Sequence, residues 1–147
     1  MKTELIQFVD SLSVATRGQG LVDVTPKVTG WLKDRQAQDG LLTLFIRHTS
    51  ASLVIQENTD PDVRADLVAA FDRLAPRNAG YLHDLEGPDD MPAHIKAALT
   101  GSNLSVPVQN GRLLLGTWQA LYVFEHRDQP HRREIAVHFI GSTGAEE

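Results

Sequence analysis

The sequence predicts an α+β domain in which about three helices cover a mixed, largely antiparallel sheet. Two observations predict this class. Helix-like and strand-like segments are partly segregated along the chain instead of alternating strictly, which disfavours a doubly wound parallel sheet. The C-terminal part is rich in β runs and contains Asn110-Gly111, a tight hairpin signal, between two of them. A chain of 147 residues with no internal repeat and no linker-like stretch fits one domain spanning residues 1–147, with a polar tail expected from 141 to 147.

Each element has its own signal. The first residues alternate loosely, Leu5, Gln7 and Val9 against Ile6 and Phe8, and predict a strand that ends before a Gly18-Gln19-Gly20 turn. Thr25 before Pro26 predicts the N-cap of a helix over about 25–36, with Val28, Trp31 and Leu32 on its apolar stripe. Leu41 to Ile46 and Ser52 to Ile55 are β-rich runs on either side of Arg47-His48-Thr49-Ser50, which places His48 at a strand end. Asp60-Pro61 opens a second helix whose Val63, Leu67, Ala70, Phe71 and Leu74 recur at helical spacing until Pro76.

Residues 77–90 make a polar connection much longer than the usual loop of about four to six residues, and long loops of this kind tend to be functional. A third helix around Pro92 is expected to bury Met91, Ile95 and Leu99 and to end at Gly101. Strands follow at Leu104 to Val108, Arg112 to Leu115, Gln119 to Glu125 and Glu134 to Ile140.

Composition narrows the function. A net charge of -5 argues against a general grip on nucleic acid or anionic membrane. No apolar run reaches the roughly 18 residues of a membrane span, and the N-terminus lacks signal-peptide order, so a cytoplasmic protein is expected. The absence of cysteine removes disulfides, thiolate metal sites and cysteine nucleophiles. Any metal must be held by histidine, carboxylate or another oxygen.

Six histidines stand at 48, 83, 94, 126, 131 and 138, and the polar run from Tyr81 to His94 carries two of them. His83 in the loop and His94 on the third helix can converge if the loop folds back. Adding His48 would give a three-histidine site with an open position for water or substrate, the pattern of catalytic zinc. Each residue also has a plainer reading: histidines satisfied by hydrogen bonds, Asp89 or Asp90 as helix caps, Glu57-Asn58 as a turn, Trp118 as a core or interface aromatic. Asp84 and Glu86 fit either a partner for an imidazole N–H or a general base. Arg132 and Arg133 are adjacent on a strand, so only one of them can enter a given site.

The run from His48 to Leu53, then Glu57-Asn58-x-Asp60-Pro61-x-Val63-Arg64-x-Asp66, then Tyr81-x-His83-Asp84-x-Glu86-Gly87-x-Asp89-Asp90-Met91-Pro92-x-His94-Ile95-Lys96 resembles the YjbQ family, also called the secondary thiamine-phosphate synthase family. Gly111-Arg112, Gly116-Thr117-Trp118-Gln119, Glu125-His126-Arg127 and Arg132-Arg133 continue the likeness over nearly the whole chain.

The resemblance implies a single α+β domain assembling as a homotrimer, with a divalent ion, expected to be zinc, on His48, His83 and His94. It points to Glu57, Asp84, Glu125 and Arg133 as catalytic candidates. Asn58, Arg112, Thr117, Trp118, Gln119 and Arg127 are the candidates for holding a small phosphorylated metabolite. The implied side activity joins hydroxymethylpyrimidine diphosphate to thiazole phosphate, giving thiamine phosphate and pyrophosphate. Two alternatives share the site: a non-catalytic metal, anion or metabolite binder, and a metal-dependent hydrolase. Arg47 stands where the family resemblance leads one to expect a neutral glutamine, and Gln56 where asparagine is common; both flank the expected pocket.

Overall fold

The structure, a computed structural model, describes residues 4–144. Eight strands and three helices run in the order β1 (Ile6–Thr16), β2 (Gly20–Asp23), α1 (Thr25–Asp34), β3 (Ala37–Ile46), β4 (Ala51–Glu57), α2 (Pro61–Leu74), α3 (Asp90–Thr100), β5 (Asn103–Gln109), β6 (Arg112–Leu113), β7 (Gln119–Glu125) and β8 (His131–Thr143). They form a five-stranded sheet, β1-β8-β3-β5-β6, and a three-stranded sheet, β2-β7-β4. Every pairing is antiparallel. No described helix is long and apolar enough to cross a membrane.

The main core lies between the two sheets. Leu42, Leu44 and Ile46 of β3 and Ile135, Val137 and Phe139 of β8 point inward from the large sheet and meet Val28 and Leu32 of α1 with Leu53, Leu121 and Val123 of the small one. Alternate side chains of β7 turn the other way, where Phe124 meets Phe71 of α2 edge-on with ring centroids 5.4 Å apart. The small sheet is therefore covered on both faces. That explains the unbroken apolar run Ala120 to Phe124, all buried, where a one-sided strand would alternate.

Local chemistry sets the element ends. Asp60 caps α2, its Oδ1 accepting the Asp62 N–H at 2.9 Å. Asn110 and Gly111 take positive φ of 52° and 78° and close the β5–β6 hairpin. Thr25 is already helical, however, and its hydroxyl accepts the Leu121 N–H at 2.8 Å, so it ties α1 to β7 instead of capping the helix.

Three further expectations change. The segment after Gly141 is strand as far as Thr143, because Gly40 and Gly141 meet as register partners of β3 and β8. A Cβ on Gly141 would lie 2.1 Å from Asp39 O, so glycine is what allows the two backbones to approach. Residues 145–147 lie outside the described part. Helix α3 does not bury Met91, Ile95 and Leu99; it buries Asp90, Pro92, Ala93 and Lys96, while Leu99 stays 58% exposed. The polar members of that face are paired: Lys96 Nζ donates to Asp72 Oδ1 at 2.6 Å, and Thr100 Oγ1 donates to Ser52 Oγ at 2.6 Å. Finally, Trp118 is 60% exposed, which removes the core half of its core-or-interface reading.

Candidate metal centre and adjoining cleft

Asp90 opens α3, and its carboxylate is buried between the loop before the helix and the segment after β7. Oδ2 lies 2.6 Å from His83 Nε2 and 3.2 Å from His94 Nε2, and Oδ1 forms an ion pair with Arg127 Nη1 at 2.7 Å. The spacing of Asp90 and His94, one helical turn apart, puts both on one face of α3. His83 reaches the same point from the loop, its ring edge-on to that of His94 with centroids 5.4 Å apart.

One atom each from His83, Asp90 and His94 lie within 4.8 Å of one another. An ion bound at about 2.0–2.1 Å in tetrahedral geometry holds its ligand atoms about 3.3 Å apart, so the group fits a small divalent cation. Two imidazoles and a carboxylate are donors that suit such an ion. The Asp90 hydrogen bond pushes His83 upward in pKa. Burial works against ionised Asp90, but His83, Glu86, Arg127 and His94 prevail and hold it below the usual carboxylate range.

Arg127 supports this centre. Its Nε donates to Asp89 Oδ2 at 2.9 Å and its Nη2 to Glu86 O at 3.0 Å. Asp89 also accepts the Asp128 N–H at 2.9 Å and makes no capping bond to α3. Arg127 is thus committed to the protein and not aimed at a ligand.

The structure does not bring His48 to this group. His48 follows β3, and its Nε2 accepts the Glu134 N–H at 2.8 Å while Nδ1 faces Arg133 Nη1 at 3.3 Å. With Nε2 engaged, the proton of a neutral ring belongs on Nδ1, and neither nitrogen offers a lone pair to a metal. Burial first, then the Arg133 charge, push His48 down in pKa. Asp90, and not His48, stands with His83 and His94.

His48 and His94 nevertheless share a cleft of about 390 Å³, bordered also by Thr49 and Ser102. Beside it a second cleft of about 540 Å³ shares His48, Thr49 and Ser102 and adds Arg47 and Ser50. A third, of about 230 Å³, is lined by His83, Asp84, Tyr81 and Arg77 on the loop side of the centre.

Of the other candidates, Glu125 and Arg133 form a fully buried pair beneath His48. Burial opposes the Glu125 charge, but Arg133, Thr16 and the Arg127 N–H prevail and depress its pKa. Arg133 points inward from β8 while Arg132 points outward to Ser13 Oγ, as strand alternation requires.

Glu57 Oε2 accepts the Thr59 and Asp60 N–H groups at 2.8 and 2.6 Å and so fastens the turn before α2. Asn58 bonds Thr117 O at 3.2 Å, and Gln119 accepts the Gly116 N–H at 2.8 Å. In the β4–β7 register Glu57 faces Gln119 and Ala51 faces Glu125. Glu57, Asn58, Thr117, Trp118 and Gln119 therefore occupy the far end of the small sheet, about 20 Å along the strands from the His48 end. Arg112 pairs with Gln109, at the end of β5 remote from Ser102.

Sequence reasoning did not bring Asp90 together with His83 and His94, for which the Asp90-x-x-x-His94 spacing was the available signal. His126, named in the Glu125-His126-Arg127 motif but given no role there, is buried, with Nε2 2.9 Å from Ser52 Oγ and Nδ1 without a partner among the described residues.

The family model described as UPF0047 protein YjbQ-like matches residues 10–142. The chain belongs to this YjbQ-like family. A UPF0047 protein of Synechocystis sp. is 48% identical over 136 residues, 92% of each chain. Among solved structures, a YbjQ-like protein of Sulfolobus solfataricus superposes with a TM-score of 0.86 at 25% identity, covering 95% of this chain and 100% of its own. A conserved hypothetical protein of Thermus thermophilus gives 0.79 at 39% identity over 87% and 97%. The YjbQ-like neighbours share the α+β architecture of a single domain.

Proposed function

We propose that this YjbQ-like chain is a cytoplasmic, metal-dependent enzyme that acts on a small phosphorylated metabolite, with His83, Asp90 and His94 as the protein ligands of the ion. The observation that carries the reading is the Asp90 oxygen between two imidazole nitrogens, at 2.6 and 3.2 Å. A divalent ion there, zinc being the best match to the donors, supplies Lewis-acid stabilisation of developing negative charge. Arg127 fixes the Asp90 carboxylate and the Glu86 carbonyl, so the ligand set is oriented before substrate arrives. Asp84 stands beside His83 in the loop-side cleft and is the acid/base candidate near the centre.

The thiamine-phosphate synthase reaction is the transfer to assay first. It requires a diphosphate to leave and water to be kept from a pyrimidine cation. In one protomer the His83 and His94 side chains are 41% and 33% exposed, so water exclusion calls for a further cover. A homotrimer would supply one. The outer face of the large sheet exposes Val9, Leu41 and Phe45, and Phe45 also borders the larger cleft. The same openness favours a second reading, hydrolysis of a phosphate ester, in which water is a reactant.

The experiment is a zinc-replete assay of synthase and phosphatase activities with and without chelator, alongside sedimentation of the assembly. Chelator-sensitive turnover of either kind, lost in His94→Ala, supports the proposal. Turnover indifferent to chelation and to His94→Ala contradicts it.

A further inference from the structure

We infer that the cleft at the end of β3 is a phosphoryl-binding subsite in which His48 acts as a hydrogen-bond donor together with Ser50 and Arg47, the buried Arg133 lying behind His48. The inference rests on the phosphorylated-metabolite reading and gives that ligand a place, next to the metal centre and separate from it.

Its first support is an imidazole ring that two donors approach at once. Glu134 N–H donates to His48 Nε2 at 2.8 Å, which assigns the ring proton to Nδ1. That N–H then faces Arg133 Nη1, another donor, at 3.3 Å. The reverse tautomer would set two N–H groups against each other at the shorter contact. An oxygen about 2.9 Å from both nitrogens would complete a triangle on that 3.3 Å base and satisfy both donors.

The second support is the surrounding inventory. Ser50 Oγ already accepts from Arg133 Nη2 at 3.0 Å, so its own hydrogen is available. Thr49 and Ser102 add hydroxyls to the same wall. Arg47 lines the cleft, is exposed, and forms no ion pair among the described residues.

The third support is charge. Among the described residues, no carboxylate lines this cleft or the one that continues it to His94, although the chain carries -5 overall. Glu125 is neutralised by Arg133, and Glu134 turns its carboxylate to Ser11 Oγ at 2.9 Å. Several convergent N–H and O–H donors beside the unpaired Arg47 guanidinium suit the multiple oxygens of a phosphoryl group better than the two of a carboxylate. Because the clefts share His48, Thr49 and Ser102, a ligand held by its phosphoryl group here extends toward His94 and the metal centre.

The test is calorimetric titration of inorganic phosphate, with acetate in a parallel arm, into metal-stripped and zinc-loaded protein. Expected is saturable phosphate binding in both states, weakened about tenfold by Arg47→Gln and by Ser50→Ala, as loss of a charge-assisted hydrogen bond predicts. Arg47 is exposed, so Arg47→Gln leaves the fold intact, and circular dichroism checks Ser50→Ala. Phosphate binding that persists in His94→Ala protein lacking metal supports the subsite even if the metal proposal fails. Phosphate binding seen only with zinc, or indifferent to both substitutions, overturns the subsite while leaving the metal centre standing. Acetate bound as tightly as phosphate, with the same dependence on Arg47, overturns the phosphoryl assignment.

Discussion

Arg127 Nη1 lies 2.7 Å from Asp90 Oδ1, and this contact joins the segment after β7 to the first residue of α3. Through it the fold sustains a buried carboxylate at the candidate metal centre. The same guanidinium reaches Asp89, so one cation offsets two largely buried anions.

Removing that cation leaves Asp89 with only the Asp128 N–H and Asp90 with its imidazole neighbours and no arginine. Arg127→Met is expected to destabilise metal-free protein by about 3–5 kcal/mol, the usual cost of breaking a buried pair from one side. Urea unfolding in the presence of chelator checks it, and a loss below about 1 kcal/mol would show that the contact behaves like a surface ion pair.

Gly141 gives a sharper test of the fold. A methyl group there meets Asp39 O at 2.1 Å and Gly40 Cα at 2.7 Å, both backbone atoms that cannot swing aside. Gly141→Ala is expected to cost about 3 kcal/mol by thermal unfolding, through forced separation of β3 and β8.

The behaviour of Gly141 also shows where the sequence was opaque. Its neighbours Ser142 and Thr143 are polar and read as a tail, because nothing local announces that β3 lies alongside. β2 was missed for a related reason: four residues after a glycine turn carry too little pattern, and β7 supplies their order. In contrast, α1 and the apolar runs of β3, β5, β7 and β8 were legible because each buries a face or both faces against the core, and α2 because Asp60-Pro61 marks its start and Phe71 recurs on the stripe that meets Phe124. The stripe of α3 misled because Asp90, Lys96 and Thr100 are neutralised by Arg127, Asp72 and Ser52, partners distant in sequence. At the site, the meeting of His83 and His94 followed from a loop folding back on its helix. The diversion of His48 to Glu134 and Arg133 did not, since it depends on the register of β8.

His126 provides a pH prediction. It is buried, and desolvation first, then the Lys96 charge, push its pKa down to about 3. The unfolded chain binds a proton here near pH 6.5 that the folded chain refuses until about 3, so stability falls as pH drops through this window. Glu125 works in the same direction lower down: its stabilisation holds above its unfolded value of about 4.5 and is lost as pH falls through the depressed folded value. Between about pH 5 and 6, wild type is expected to lose up to about 1.4 kcal/mol more per pH unit than His126→Leu. Equal slopes in denaturant titrations of the two proteins would refute the assignment.

The account as a whole turns on which side chains grip the ion, and a competition titration of zinc into wild type, Asp90→Asn and His48→Gln measures that directly. The expected result is one equivalent bound by wild type and by His48→Gln with the same affinity, and an affinity lowered at least about tenfold in Asp90→Asn, where one anionic ligand is lost. Undiminished binding by Asp90→Asn together with loss of binding by His48→Gln would contradict the account.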